Sequence, residues 1–232
     1  MRSFKKSAPL RELDALSAYA EWSHNYPPQA HNALMRAEEK AMLEIAPDFR
    51  GKTALDLACG TGRYMRILKE RGAGQVIGID LSCDMLARMN KPSDWAVLGD
   101  VSQLPITNDK FDLIICGLAF GHVESLSHAI AESARVLKRG GTLLYSDFHP
   151  LGYLAGWRRE FNGRNGKRYA VKHFAHLYSD HDSACRTAGL TIRAIREPII
   201  GRELQEDFPG SAQVYKQWSG WPAAMIIRAD KV

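Results

Sequence analysis

The sequence predicts an α/β protein built on an open, mostly parallel, seven-stranded sheet with helices on both faces and a small cap inserted after the fifth strand. Three observations predict it. Short, nearly continuous apolar runs alternate with segments of helical period, the pattern of successive βα units. A glycine turn, Cys59-Gly60-Thr61-Gly62, follows the first run. Asp80 and Asp100 close the second and third.

The first element is a helix from about Gln29 to Ala46, which puts Ala30, Leu34, Ala37, Ala41 and Ile45 on one stripe and is stopped by Pro47. Strands are expected at Thr53–Ala58, Gln75–Asp80, Trp95–Asp100, Phe111–Gly117 and Thr142–Asp147. Such runs are buried on both faces, so all five are expected to be central. Between them, Ser82 caps a helix running to about Asn90 before Pro92, and Ser127 begins one that ends at Lys138-Arg139-Gly140-Gly141.

Within Trp157–Phe174, Asn162-Gly163-Arg164-Asn165-Gly166 is a dense turn signal between two polar-aromatic runs, as in a hairpin, and marks 151–178 as a substrate cap. Ser179 and Asp182 then read as a capping box for a helix ending near Gly189. Strands at Thr191–Arg196 and Ala223–Ala229 complete the sheet, with Pro198–Pro222 left unassigned. One domain is expected over 1–232, its first 50 residues forming a helical lid.

Composition agrees. The 232 residues suffice for one large core, and 45% hydrophobic with 25% charged residues is the balance of an ordinary globular protein. Met1 to Leu10 carries no apolar signal region, and no run approaches the roughly 18 apolar residues that span a bilayer, so a cytoplasmic enzyme without membrane contact is expected. Cys59, Cys83, Cys116 and Cys185 are scattered without a CxxC pair, which suggests neither a metal site nor a disulfide framework. The formal charge of +5 allows an acidic partner, and Arg158, Arg159, Arg164, Lys167 and Arg168 form one dense basic stretch. A solvated loop also explains that stretch, so nucleic acid is not the expected partner.

Ligands of open parallel sheets lie outside the carboxyl ends of the strands, where the residues of interest fall. Gly60 and Gly62 let a ligand lie against backbone at a helix N-terminus. A dinucleotide fingerprint asks for a third small residue where Met65 stands, which argues against NAD or FAD. Asp80 is placed to accept both hydroxyls of a ribose, and Asp100 an adenine amino group, with Val101 offering backbone beside it. Asp56 is expected to order the glycine loop.

The runs Ala54-Leu55-Asp56-Leu57-Ala58-Cys59-Gly60-Thr61-Gly62, Gly78-Ile79-Asp80-Leu81-Ser82, Gly99-Asp100-Val101, Phe111-Asp112-Leu113-Ile114-Ile115 and Val136-Leu137-Lys138-Arg139-Gly140-Gly141 together resemble the class I S-adenosylmethionine methyltransferases, in the type 11 group that includes the ubiquinone and menaquinone methyltransferases. The resemblance implies a Rossmann-like fold and S-adenosylmethionine as cofactor. It implies that Gly60 and Gly62 face the methionine part, Asp80 the ribose, Leu81 the adenine ring and Asp100 with Val101 the adenine edge. The backbone of Gly117 and Leu118 is expected at the amino group, and Tyr26, from the lead-in Tyr19-Ala20-Glu21-Trp22-Ser23-His24-Asn25-Tyr26, over the cofactor. Ala58 departs from the family, which usually has glycine there.

Methyl transfer from a sulfonium is an in-line displacement in which positioning supplies most of the acceleration. A proton-bearing acceptor also needs a base, a task that suits histidine. His122, after the fourth strand, is a candidate base or substrate orienter, or else a capping or packing residue, and His149, after the fifth, is a second candidate. His173 and His176 are expected to pack or to lie at the surface. The aromatic cap residues Tyr153, Trp157, Phe161 and Tyr169 favour a small-molecule acceptor. Alternatives are an RNA methyltransferase and a cofactor-binding scaffold without turnover.

Overall fold

The computed structural model describes residues 10–89, 95–207 and 212–232. The chain opens with β1 (Arg11–Leu13), α1 (Ala15–Trp22) and α2 (Ala33–Ile45), then β2 (Thr53–Leu57), α3 (Arg63–Glu70), β3 (Gln75–Asp80) and α4 (Cys83–Leu86). It continues through β4 (Trp95–Leu98), β5 (Phe111–Gly117), α5 (Leu126–Val136), β6 (Leu137–Phe148) and α6 (Pro150–Leu154). The last elements are β7 (Glu160–Asn162), β8 (Arg168–Val171), α7 (Tyr178–Thr187), β9 (Leu190–Arg196), α8 (Ala212–Trp218) and β10 (Ala224–Lys231).

Seven strands form the main sheet in the order β4-β3-β2-β5-β6-β10-β9, in which β10 alone runs antiparallel to its neighbours. From β2 the chain steps outward to β3 and β4, then returns to the other side of β2 as β5. Strand order therefore reverses between β2 and β5, and the crevice at their carboxyl ends is where such a sheet takes a ligand. One apolar cluster, with Met42, Met65 and Leu144, fills the face under α2 and α3. A second, with Leu55, Ile114 and Tyr145, fills the face under α5 and α7.

Met65 shows how α3 packs without the small residue of a dinucleotide site. Its sulfur presses on Gly78 of β3, where an added Cβ would lie only 2.5 Å away. The small residue sits on the strand instead of the helix.

Several boundaries differ from the sequence reading. The third strand is at the sheet edge and not central: β4 ends at Leu98, and Trp95 is 71% exposed. Its apolar residues cover one edge of the sheet, which hydropathy alone does not separate from a core strand. Asn32, whose side chain accepts from Met35 N–H, starts α2 three residues past the expected point, and Ala46 is held extended before Pro47. Ser82 caps α4 as expected, but that helix closes after Leu86, and the expected end at Asn90 lies outside the described residues. Helix α5 ends at Val136, and Leu137–Phe148 is already strand, so the expected stop at Lys138-Arg139-Gly140-Gly141 belongs to β6. The capping box falls on Asp180, which accepts from Leu177 N–H, while Asp182 pairs with Arg186.

The hairpin β7–β8 turns through Gly163 and Gly166, the latter at φ +73°. It gains a third, parallel strand from β1, with Leu13 opposite Val171. Three residues of sequence Arg-Glu-Leu carry no alternation from which that strand is legible. Ala18 and Trp22 of α1 pack on Phe161, Tyr169 and Val171, so the N-terminal segment and the insertion share a small core of their own. No helix among the described residues is long and apolar enough to cross a membrane.

On α7, His181 is fully buried with Nδ1 at 3.2 Å from the Tyr145 hydroxyl. Burial pushes its pKa down to about 4, against ~6.5 in the unfolded chain. Below the unfolded value the unfolded chain takes up a proton that the folded chain refuses, so this group's contribution is lost as pH falls from about 6.5 toward about 4. Thermal melts across that window are expected to show a shallower acid slope for His181→Gln than for the wild type; parallel slopes would contradict the assignment.

Candidate functional site

A cavity of about 330 Å³ lies at the β2–β5 crevice. Its floor is the turn after β2. Ala58 at φ +57° and Gly60 at φ +55° bend the backbone there, and the alanine bears a strain that glycine would not. Gly62, at φ +87°, caps α3 and donates its N–H to Cys59 O. Gly60 lines the cavity, whereas Gly62 shapes the turn from behind, with Met89 against it.

Asp80 holds this floor to the end of β3. One carboxylate oxygen accepts from Gly60 N–H at 2.7 Å and the other from Ser82 N–H at 2.8 Å. Burial raises its pKa against the pull of these two bonds. Each oxygen keeps a further lone pair for a ligand hydroxyl. Leu81, Asp100 and Val101 line the same end of the cavity, and Asp100 is steadied by Ser102 N–H at 2.7 Å. Asp56, expected to order the glycine loop, instead accepts from Met65 N–H of α3 at 2.9 Å, and it borders the cavity. Burial pushes its pKa up to about 7.

The opposite wall is the end of β5. Gly117 is required there because a Cβ would lie 2.5 Å from the Tyr64 ring and 3.1 Å from the Arg63 guanidinium. Leu118 follows at φ +57°, its N–H within reach of both the Ser146 carbonyl and hydroxyl. Behind this wall lies Glu38, fully buried on α2. It accepts from Arg63 at 2.9 Å, from the Tyr64 hydroxyl at 2.8 Å and from the Ser146 hydroxyl at 2.6 Å. Arg63 is doubly paired, its other terminal nitrogen meeting Glu39 at 3.1 Å.

Tyr19, Tyr26, His122 and Arg159 close the cavity from above. His122 Nδ1 lies 3.2 Å from Lys172 O, and since a carbonyl only accepts, that nitrogen carries the proton. Nε2 is then an acceptor for the Tyr19 hydroxyl at 3.2 Å. Burial, with Arg159 nearby, pushes the imidazole down to about 3, and burial also raises Tyr19, so both groups are neutral near pH 7. His173 packs edge-on against His122 and against Gly121, where no side chain would fit. His176 lies at 2.9 Å from Val123 O. Both therefore pack, as expected.

His149 is not at this cavity. Its Nδ1 accepts from Leu151 N–H to cap α6, and its Nε2 meets Glu197 at 3.0 Å, so both nitrogens are engaged in structure. The structure thus gathers Tyr26, Gly60, Asp80, Leu81, Asp100, Val101, Gly117, Leu118 and His122 around one cavity and leaves out Gly62 and His149. Sequence reasoning missed Arg159 and Glu38. A glutamate inside the apolar stripe of α2, four residues after Leu34, was the signal for the second.

The lining suits an adenosine-bearing methionine derivative: a carboxylate with free lone pairs for a ribose diol, a second for an adenine edge, and the Gly117-Leu118 wall for an amino acid. Among the described residues no group of three or more His, Cys, Asp or Glu is gathered to hold a metal.

Residues 55–145 match the methyltransferase domain family of type 11. An uncharacterized protein of Haemophilus influenzae is 34% identical over 228 residues, covering 84% of this chain and 87% of that one. A malonyl-[acyl-carrier protein] O-methyltransferase of Enterobacter lignolyticus is 31% identical over 140 residues, covering 60% of this chain and 55% of its own length. The chain thus matches about half the length of that enzyme. An S-adenosylmethionine dependent methyltransferase from Mesorhizobium loti shares the fold with a TM-score of 0.69 at 23% identity, covering 84% of this chain and 97% of that one.

Asp80→Ala is expected to weaken S-adenosylhomocysteine binding by about 1.5–3 kcal/mol, the scale of hydrogen bonds to a charged group. The thermal midpoint is expected to drop as well, because Gly60 and Ser82 lose their acceptor. Calorimetry and a melt on one sample check both, and unchanged affinity would remove Asp80 from the site.

Proposed function

The chain belongs to the class I S-adenosylmethionine-dependent methyltransferases of the type 11 group, and from that premise we propose that it methylates a small-molecule acceptor under a cover made by α1 and the β1-β8-β7 sheet. The observation that carries the reading is the convergence of Asp80, Asp100, Gly60 and the Leu118 backbone on one cavity at the strand-order reversal. The Enterobacter lignolyticus relative is named as a malonyl-[acyl-carrier protein] O-methyltransferase.

S-adenosylmethionine supplies an electrophilic methyl group on a sulfonium. Asp80 holds the ribose, Asp100 and Val101 the adenine edge with Leu81 on the ring, and the Gly117-Leu118 backbone the amino acid end. Tyr26 and the α1 segment shut out water, which strengthens every electrostatic contact inside. His122 is a positioning residue: its acceptor nitrogen is occupied by Tyr19, and an imidazole titrating at about 3 is a poor base near pH 7. It fixes the Tyr19 hydroxyl at the edge of the cavity.

The basic stretch supports a small acceptor over RNA. Arg158 pairs with Glu12, Arg164 with Asp84, and Arg168 with Glu160, so three of the five cations of the stretch are engaged by carboxylates, and Arg159 lines the inner cavities.

The direct test incubates the protein with S-adenosylmethionine and a panel of small acids, phenols and amines and reads released S-adenosylhomocysteine. Release with at least one class is expected, together with calorimetric binding of S-adenosylhomocysteine but not NAD. Tighter NAD binding, or no binding of either sulfur compound, would overturn the proposal. On the responding acceptor, His122→Ala is expected to lower kcat about tenfold, short of the 10²–10⁴-fold loss of a general base. The pH profile is expected to keep its shape, and His122→Gln, which still accepts from Tyr19, to recover most of the rate. A changed profile would return His122 to the role of base.

A further inference from the structure

A second cavity of about 460 Å³ opens between α2, the cap and α8. Its walls include Trp22, Phe148, Trp157 and Trp218. Trp157 stacks on Trp218 with ring centres 5.3 Å apart, and Phe148 lies 4.8 Å from Trp157. Arg159 and Met35 are common to this cavity and the cofactor cavity. A void of about 10 Å³ beside His122 and His173 also touches Arg159, so three spaces meet at one guanidinium.

Arg159 stands apart from the other arginines of the second cavity. Arg158 and Arg168 have carboxylate partners, and so does Arg36 beside it, which holds Asp207. Among the described residues Arg159 has none. It donates to Leu118 O at 3.1 Å and to the Tyr26 hydroxyl at 3.3 Å, and lies over the rings of Tyr19 and Trp22. A guanidinium has five N–H donors in a fork that matches a carboxylate, and two donors are used here. A partly buried cation with free donors, set between a nucleoside-shaped cavity and an aromatic one, calls for an anion to complete it.

We propose that the second cavity is the acceptor site, and that the acceptor is a carboxylate with an apolar body, its headgroup held by Arg159 at the entrance to the cofactor cavity. This rests on methyl transfer from S-adenosylmethionine. A carboxylate oxygen forms the bond to the methyl carbon as the carbon–sulfur bond breaks, and the electron pair of that bond stays on sulfur. The products are a methyl ester and a neutral thioether. No proton moves, which accords with a site whose histidine titrates at about 3. An anion and a sulfonium disappear together, so a water-poor cavity favours the step.

The same chemistry is present in the methionine carboxylate of the cofactor, and the test separates the two sources. Naphthalene-2-carboxylate and naphthalene-2-carboxamide are titrated against tryptophan fluorescence in protein saturated with S-adenosylhomocysteine. The carboxylate is expected to bind wild type at least about tenfold tighter than the amide, the scale of a charge-assisted pair. Arg159→Gln is expected to bring the two probes within about twofold, and Arg159→Lys, which keeps the charge but loses the fork, to retain a preference between that of Arg159→Gln and wild type. Calorimetry is expected to find S-adenosylhomocysteine and 5′-methylthioadenosine affinities changed in parallel in the variants, since Arg159 also lines the cofactor cavity and bonds Leu118 and Tyr26.

Equal binding of the two probes to wild type, or binding of neither, would overturn the proposal. So would loss of S-adenosylhomocysteine affinity in Arg159→Gln with 5′-methylthioadenosine unaffected, since that assigns the guanidinium to the cofactor's own carboxylate. If Arg159→Gln does not fold, the wild-type ratio and Arg159→Lys carry the test. Failure of wild type to bind S-adenosylhomocysteine would strike the methyl-transfer reading instead, and the probe titration without it still decides the role of Arg159.

Discussion

The site depends on one buried carboxylate. Glu38 is fully out of solvent, and its two oxygens receive Arg63, Tyr64 and Ser146. Through them α2 is tied to α3 and to β6, and through Ser146 to the backbone of Leu118, which a leucine holds at positive φ only under constraint. Removing one partner of a buried ion pair costs about 3–5 kcal/mol because the other charge is left uncompensated. Helix α2, although it precedes the sheet in the chain, is thus part of the wall that shapes the cavity.

That network also sorts the two arginines of the cavity. Arg63 is neutralised by Glu38 and Glu39, so it fixes geometry without presenting net charge. Arg159, bonded only to a carbonyl and a hydroxyl and flanked by aromatic rings, keeps its charge for a ligand. Asp80 serves in both ways at once, binding two backbone amides while retaining lone pairs toward the cavity. Asp80 thus ties the turn after β2 to the end of β3 and still borders the cavity.

Much of this was legible in the sequence because it is local. The interior strands, the turn at Gly60 and the acidic ends at Asp80 and Asp100 lie in short contiguous runs with a period and a stop. What was not legible is what the fold brings together from a distance. Leu13 pairs with Val171, Tyr19 meets His122, and Glu38 meets Ser146. Runs of one charge hid Arg159 among neighbours that turn out to be paired, and hydropathy did not distinguish the edge strand at Trp95 from a central one. His149 occupied the expected strand end, yet its ring turns to Glu197 and a helix cap, a choice set by side-chain partners and not by chain position.

In the proposed reaction one cavity orients an adenosyl sulfonium so that its methyl group faces Arg159 and His122. The most direct measurement is a crystal structure with S-adenosylhomocysteine bound. The ribose hydroxyls are expected on Asp80, the adenine edge at Asp100 and Val101, and the sulfur turned toward the Leu118 wall with Arg159 beyond it. A ligand bound in reverse, with adenine against Arg159 and the amino acid end at Asp100, would contradict this orientation.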